Sequence, residues 1–202
     1  MFVSSFESIM TTLRILSAAD VRQALPMADA IASQKRAYAE LSTGTAVMPL
    51  RTRLPVDDEA VTLIMPAYLP ETAALGVKLV SVFPRNPARG LPFVYAAVLV
   101  IDPDTGQPVA LLEGGALTAI RTGAGAGAAT DLLARPDAAS VAIIGSGVQA
   151  RTQLEAVCTV RQILLVRVYS PNRAHAAAFG AEMAGQDPIP AVNHKLIGLK
   201  DI

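Results

Sequence analysis

The sequence predicts an α/β chain: an N-terminal α+β region followed by an incomplete parallel β-α-β-α unit. Three observations predict it. Apolar residues recur with a helical period at first and then, from residue 46, in short β-rich runs. A long segment of small residues, 114–134, closes those runs. Beyond it, strand-like and helix-like stretches alternate, which is how parallel strands come to be joined by helices. The expected divisions are 1–135 for the α+β region, 136–185 for the alternating unit and 186–202 for a tail without a clear period.

Each element has a local cause. Ser17 and Asp20 stand three apart, the spacing of a capping box that satisfies the first amides of a helix. Pro26 can open a second helix, since it gives up only an amide that would be unpaired there. Met27, Ile31, Tyr38 and Leu41 follow at helical spacing and Gly44 ends the segment. Then come "VMPLRTRL", "AVTLIMPAYL", "ALGVKLVSVF", "PFVYAAVLVI" and "PVALLE", with the turn Asp102–Gly106 making the last two a hairpin. In "GGALTAIRTGAGAGAATDLLA", glycines in a helix cost up to about 1 kcal/mol each relative to alanine. Gly123, Gly125 and Gly127 therefore need a reason. Tight helix packing and contact with a bulky cofactor both supply one. Pro136 breaks the segment. The strand "SVAIIG", the helix "VQARTQLEAVCTV", the strand "ILLVRVYS" and the helix "NRAHAAAFGAEMA" complete the alternation.

Composition narrows the function. Apolar residues make up 52% of the chain, enough for a real core, while aromatics make up only 4%, so Ala, Val, Leu and Ile must build it. Seventeen basic residues balance 17 acidic ones, which gives no electrostatic reason to expect nucleic acid or an anionic membrane as partner. No apolar run approaches the roughly 20 residues that cross a bilayer, and the N-terminus lacks the pattern of an export signal, so a cytoplasmic protein is expected. The one cysteine, Cys158, lies in a helix as a small buried filler, and the two histidines, His175 and His194, have no metal-ligand spacing.

The segment "VAIIGSGVQARTQ" carries the chemistry. Gly145 permits a tight turn, Gly147 lets backbone approach a pyrophosphate, and Ala150 allows the following helix to pack on the strand. That helix points its amides and positive dipole end at phosphates. The motif follows a strand and opens a helix, the context that distinguishes a Rossmann nucleotide site from a chance match. At the end of the next strand, where a carboxylate would bind the ribose hydroxyls of NAD, stand Ser170, Asn172 and Arg173. A 2′-phosphate is accommodated there, so NADP is slightly favoured over NAD. Two cations stand out elsewhere. Lys78 sits in an otherwise apolar strand, where an ammonium is exposed, paired or functional, and Arg121 is expected to lie deep among tiny residues, which a clamp for phosphate or carboxylate explains.

Together "LRTRLP", "IMPAYL", "LGVKLVSVFPRNPARGLP", "LLEGGALTAIRTGAGAGAATDLLARPDA" and "IIGSGVQARTQLEA" resemble the ornithine cyclodeaminase/mu-crystallin family, from about residue 16 to about residue 185. The resemblance implies an α+β substrate-binding and dimerising domain joined to a Rossmann domain, with the site between them. It implies NAD(P)-dependent chemistry on a small amino acid or its imine, as in ornithine cyclodeaminases, ketimine reductases and alanine dehydrogenases, and a homodimer. Arg51 and Lys78 would hold the substrate carboxylate, with Lys78 also placed for proton transfer. Arg121, beside Thr122, would touch substrate and cofactor phosphate, and Val148 and Gln149 would lie against the pyrophosphate. Phe93 falls where some members contact the cofactor. Two departures matter: Leu63 stands near a glutamate of the ornithine enzymes, and Ser170 replaces an acidic residue. The family's later strands and its acid-catalytic aspartate have no counterpart here, so the chain is expected to be a shortened member. A non-catalytic nucleotide-binding or dimerising relative of mu-crystallin, or an inactive shortened product, is the alternative.

Overall fold

The computed structural model describes residues 12–190 and the backbone of 194–196. Two sheets are joined by one long helix. The first part runs β1 (Arg14–Leu16), α1 (Ala18–Ala24), α2 (Met27–Thr43), β2 (Thr52–Pro55), β3 (Val61–Leu69), β4 (Ala74–Val82), β5 (Val94–Ile101), β6 (Pro108–Glu113) and α3 (Gly114–Leu133). The second runs β7 (Ser140–Ile144), α4 (Val148–Val160), β8 (Leu165–Tyr169), α5 (Arg173–Met183) and β9 (His194–Leu196). None of the described helices is long and apolar enough to cross a membrane.

The first sheet has the order β1-β6-β5-β4-β3-β2, antiparallel throughout except for the β1–β6 pair. Its local signals are those of the sequence. The Ser17 hydroxyl accepts from the Asp20 amide while the Asp20 carboxylate accepts from the Ser17 amide at 2.8 Å, closing the capping box of α1. Gly44 ends α2 in the left-handed region at φ 80°. Asp102 accepts the amides of Asp104 and Thr105 and shapes the β5–β6 hairpin. The run "VMPLRTRL" is shorter as a strand than its composition suggests: β2 covers only Thr52–Pro55, and Val47 makes an isolated bridge to Tyr68.

Glu113, the last residue of β6, turns directly into the cap of α3, its carboxylate accepting from Gly115 and Ala116 at 2.7 Å each. From there α3 packs against α1, α2 and α4. Val21, Met27, Ala30 and Ile31 meet Ala116, Ile120, Ala124, Ala128 and the α4 residue Ala156 in one apolar cluster. The glycines of α3 make this possible. A methyl group on Gly123 would lie 2.3 Å from the Thr152 carbonyl oxygen, and one on Gly127 would lie 2.7 Å from Ile31 Cδ1. Helix packing, rather than a cofactor, explains those two positions.

The second sheet has the parallel order β7-β8-β9. Val166 and Val168 of β8 alternate into a core with Ile143, Leu154, Cys158, Phe179 and Met183. β9 is a difference from the sequence reading, which found no period in 186–202. Three residues are too few to display one, and the parallel pairing of β9 with β8 is a long-range choice. Among the described strands β7 has a partner on one side only, and Ile144 is 68% exposed there. Arg161 ties the two parts together: its guanidinium donates to the Thr130, Asp131 and Ala134 carbonyls and to the Asp131 carboxylate at 3.0 Å each, capping the C-terminus of α3. Lys35 of α2 pairs with the same carboxylate.

Candidate functional site

Lys78 is the centre of an open cavity of about 330 Å³ lined by Met65, Val98, Leu117, Thr118 and Arg121 among others. It gets there by strand register. Lys78 pairs with Met65 on one side and Val98 on the other, and side chains opposite one another share a face. That face is the one α3 covers. The Lys78 Nζ donates to Thr118 Oγ1 at 2.7 Å, and the Thr118 hydroxyl spends its single proton on the Gly114 carbonyl at 2.5 Å. Lys78 is half-buried, and desolvation, followed by the neighbouring Arg121 charge, holds its ammonium below the ordinary lysine pKa. Neither cation makes an ion pair with a carboxylate among the described residues. Two positive charges without an ion-pair partner among the described residues, set over apolar walls, are an arrangement that can receive a small carboxylate. Thr118 was not evident from sequence alone. Its signal is the helical spacing Thr118–Arg121, which puts both on one side of α3.

Arg121 is not deep, as its tiny neighbours suggested; it is exposed at the cavity rim. The small residues of α3 face α1, α2 and α4 instead, so they leave the guanidinium free rather than burying it. Arg51 precedes β2 and is exposed. The pairing of Thr52 with Ile64 brings it level with Met65, two inter-strand spacings or about 10 Å from Lys78. It lines no cavity shared with Lys78.

The glycine loop occupies the other part of the molecule. Gly145 has φ +104°, a conformation that side-chain-bearing residues rarely adopt, and Gly147 is the N-cap of α4 without any side chain capping the first amides. A methyl group on either glycine would meet nothing within 4 Å, so the ground above the loop is open. Gly145, Gly147, Val148, Gln149 and Gln153 line one shallow cavity there. Loop and helix end are thus laid out for an anion carried on backbone N–H groups.

The family model described as the ornithine cyclodeaminase/mu-crystallin family matches residues 12–195. The chain belongs to that family. It is 42% identical over 166 residues to a Delta(1)-pyrroline-2-carboxylate reductase of Bacillus cereus, covering 82% of this chain and 51% of the relative. The chain spans about half the length of the curated relatives it matches. Among solved structures it is similar to the Delta(1)-pyrroline-2-carboxylate reductase of Thermococcus litoralis, solved with NADH and L-proline, at 45% identity and a TM-score of 0.81, covering 91% of this chain and 56% of that one. It is also similar to an archaeal alanine dehydrogenase dimer with bound NAD, at 30% identity and a TM-score of 0.84, covering 94% and 57%.

In this member of the ornithine cyclodeaminase/mu-crystallin family, the expected residues fall into separate groups. Lys78 and Arg121 share the cavity on the first sheet; Gly145, Gly147, Val148 and Gln149 share the loop on the second. The link between them is α3, whose Ala116, Ala119 and Ile120 line a further cavity with Val148 and Thr152 of α4. Thr122 follows Arg121 on α3 and is half-buried. Ser170 follows β8, Asn172 caps α5 by accepting from Ala174 at 3.0 Å, and Arg173 is exposed beside it. Phe93 is 48% exposed just before β5. No group of three or more His, Cys, Asp or Glu among the described residues is placed to hold a metal ion.

Proposed function

We propose that this chain forms the substrate-binding half and the start of the nucleotide-binding half of an NAD(P)-dependent oxidoreductase acting on a small cyclic imine carboxylate or the matching amino acid. The observation that carries the reading is the pair Lys78 and Arg121 in an apolar cavity without an acidic partner among the described residues. A substrate carboxylate completes that charge balance, with Arg51 reaching in along the same face of the sheet. Leu63 and Met65 lie on that face too, and an apolar wall favours a cyclic imine over a diamino acid, whose second ammonium would need a carboxylate. The sequence likeness to Delta(1)-pyrroline-2-carboxylate reductases points the same way.

The residues present fit a dinucleotide: open glycines, uncapped amides at the start of α4, and no carboxylate within the described residues of the loop. Gly145, Gly147, Val148 and Gln149 would hold its pyrophosphate, Arg121 and Thr122 its nearer phosphate side, and Ser170, Asn172 and Arg173 its adenosine ribose. Bound there, the nicotinamide supplies or takes up hydride. The chain's own contribution is to orient the carboxylate and to move a proton at the substrate nitrogen, for which Lys78, with its lowered pKa and its Thr118 partner, is the candidate group. Ser170 and Arg173 tolerate a 2′-phosphate, so NADP is slightly preferred and NAD remains usable. The setting is cytoplasmic. A homodimer forms through the face of the first sheet turned away from α3, where Ile15 (75% exposed), Leu54, Leu79 and Tyr95 stand uncovered.

Binding and turnover test this separately. The chain should bind NADPH or NADH, and the chain extended by the remaining length of a relative's nucleotide-binding domain should oxidise it when given Delta(1)-pyrroline-2-carboxylate. Lys78→Met should lower that turnover by about 10²–10⁴-fold while leaving nucleotide affinity in place. Turnover in the Lys78→Met variant equal to wild type removes Lys78 from the reaction.

A further inference from the structure

Arg151 lies one helical turn into α4, on the side of the helix away from the open ground of the glycine loop. All three nitrogens of its guanidinium donate hydrogen bonds. Nε donates to Glu182 Oε1 at 2.7 Å and one terminal nitrogen donates to Glu182 Oε2, a two-pronged pair with the carboxylate near the end of α5. The other terminal nitrogen, Nη1, donates to the backbone carbonyls of Ser146 at 3.1 Å and Gly147 at 3.0 Å. The guanidinium carbon also sits 5.5 Å from the ring centre of Phe179, which is 1% exposed in the core. Glu182 holds two nitrogens of the fork, Phe179 supports it, and the third nitrogen reaches into the loop.

The consequence follows from peptide geometry. In a trans peptide the C=O and the next N–H point in opposite directions. A Ser146 carbonyl drawn back toward Arg151 therefore turns the Gly147 N–H outward, and a Gly147 carbonyl drawn back turns the Val148 N–H outward. Those amides stand at the uncapped start of α4, over the open ground beside Gly145 and Gly147. The Gly147 carbonyl also accepts from the Ala150 amide at 3.1 Å, so the first turn of α4 shares in holding that plane. The Ser146–Gly147 plane, set between two glycines, would otherwise be free to rotate, and an anion would have to order it at its own expense.

We propose that Arg151 and Glu182 are positioning residues that preset the Gly147 and Val148 amides for a pyrophosphate. This rests on the proposed nucleotide function, because the amides need a phosphate-bearing ligand to receive. Glu182 touches no part of the loop; it acts through Arg151 by fixing the guanidinium plane. Lysine cannot replace Arg151, since a single ammonium lacks the planar fork that spans a carboxylate and two carbonyls.

The test is nucleotide affinity of the chain, read by titration with NADH, with ADP-ribose and with adenosine, beside its unfolding midpoint without ligand. Arg151→Met and Arg151→Lys should each weaken NADH and ADP-ribose about tenfold, the effect of losing charge-assisted contacts that order the loop, and leave adenosine affinity unchanged. Glu182→Gln, which alters an exposed side chain and serves if the Arg151 variants fold poorly, should weaken the same two ligands several-fold. The Arg151→Met/Glu182→Gln double variant should be no weaker than Arg151→Met alone, because both changes act on one element. Variants that bind all three ligands as wild type does, or that lower the unfolding midpoint with affinity intact, overturn the positioning role. Wild-type chain that binds neither NADH nor ADP-ribose overturns the nucleotide reading itself.

Discussion

Cys158 and Lys78 are both lone reactive groups in apolar segments, and the structure gives them opposite fates. Cys158 is buried between α4 and the second sheet, and desolvation pushes its thiol up to about 11. It should resist thiol reagents at pH 8 in the folded chain and react at once in denaturant; rapid labelling under native conditions would show that α4 does not pack as described. Lys78 keeps its amine in a cavity instead. Because folding lowers its pKa, the unfolded chain binds that proton more readily, and the folded state carries a penalty at all pH below the lowered pKa. The penalty fades as pH rises toward the ordinary 10.5. Lys78→Met should therefore raise the thermal midpoint of the ligand-free chain slightly at pH 7, with the gain shrinking at alkaline pH. A lower midpoint at pH 7 would mean that the Thr118 contact outweighs desolvation.

Among elements, α3 shows how far a local signal goes. Its glycines are costly in a helix, and the sequence offers packing and cofactor contact as equal reasons. Distance separates them: an added methyl at Gly123 runs into the Thr152 backbone, which cannot move aside, whereas one at Gly125 meets the Tyr38 hydroxyl at 2.8 Å, the end of a flexible and half-exposed side chain. Gly123→Ala should destabilise the chain by about 1–3 kcal/mol through overpacking. Gly125→Ala should be close to neutral, since better helix propensity, up to about 1 kcal/mol, offsets the shift of Tyr38. Urea unfolding of the two variants side by side decides the point. The caps of α1, α3 and α5 show the opposite case, in which Ser17, Glu113 and Asn172 act within a few residues of themselves. Of these, α1 was legible as a capping box, whereas the Glu113 cap depends on β6 running straight into α3.

Across the whole molecule, Asp131 is where α2, α3 and α4 meet, bound by Lys35 and by Arg161, which follows α4. Lys35 first and then Arg161 hold its carboxyl below the ordinary 3.8. The folded state thus binds this proton less readily than the unfolded one, so the stabilisation is whole above 3.8 and is lost as pH falls through the lowered value. Asp131→Asn should lower the urea midpoint at pH 7 and flatten its fall in acid; an unchanged acid limb would remove Asp131 from that transition. The uncovered apolar face of the first sheet belongs to this scale too. Leu79→Lys should convert the proposed dimer to monomer in sedimentation, and a wild-type chain that is monomeric at high concentration would place the interface elsewhere.

What the sequence determined alone are features whose causes lie within one element: strand and helix periods, the hairpin at Asp102, the capping box at Ser17, and the glycine loop with its helix. The family was legible in the matching segments taken together, and Lys78 stood out because an ammonium in an apolar strand is anomalous wherever the strand lies. The tertiary structure decided which groups meet. Register, not composition, sets Lys78 beside Met65 and Val98. Packing of α3 on the first sheet places Arg121 at the rim of its cavity, and the approach of α5 brings Glu182 to Arg151. Such meetings depend on segments tens of residues apart, and no local period encodes a distance between them.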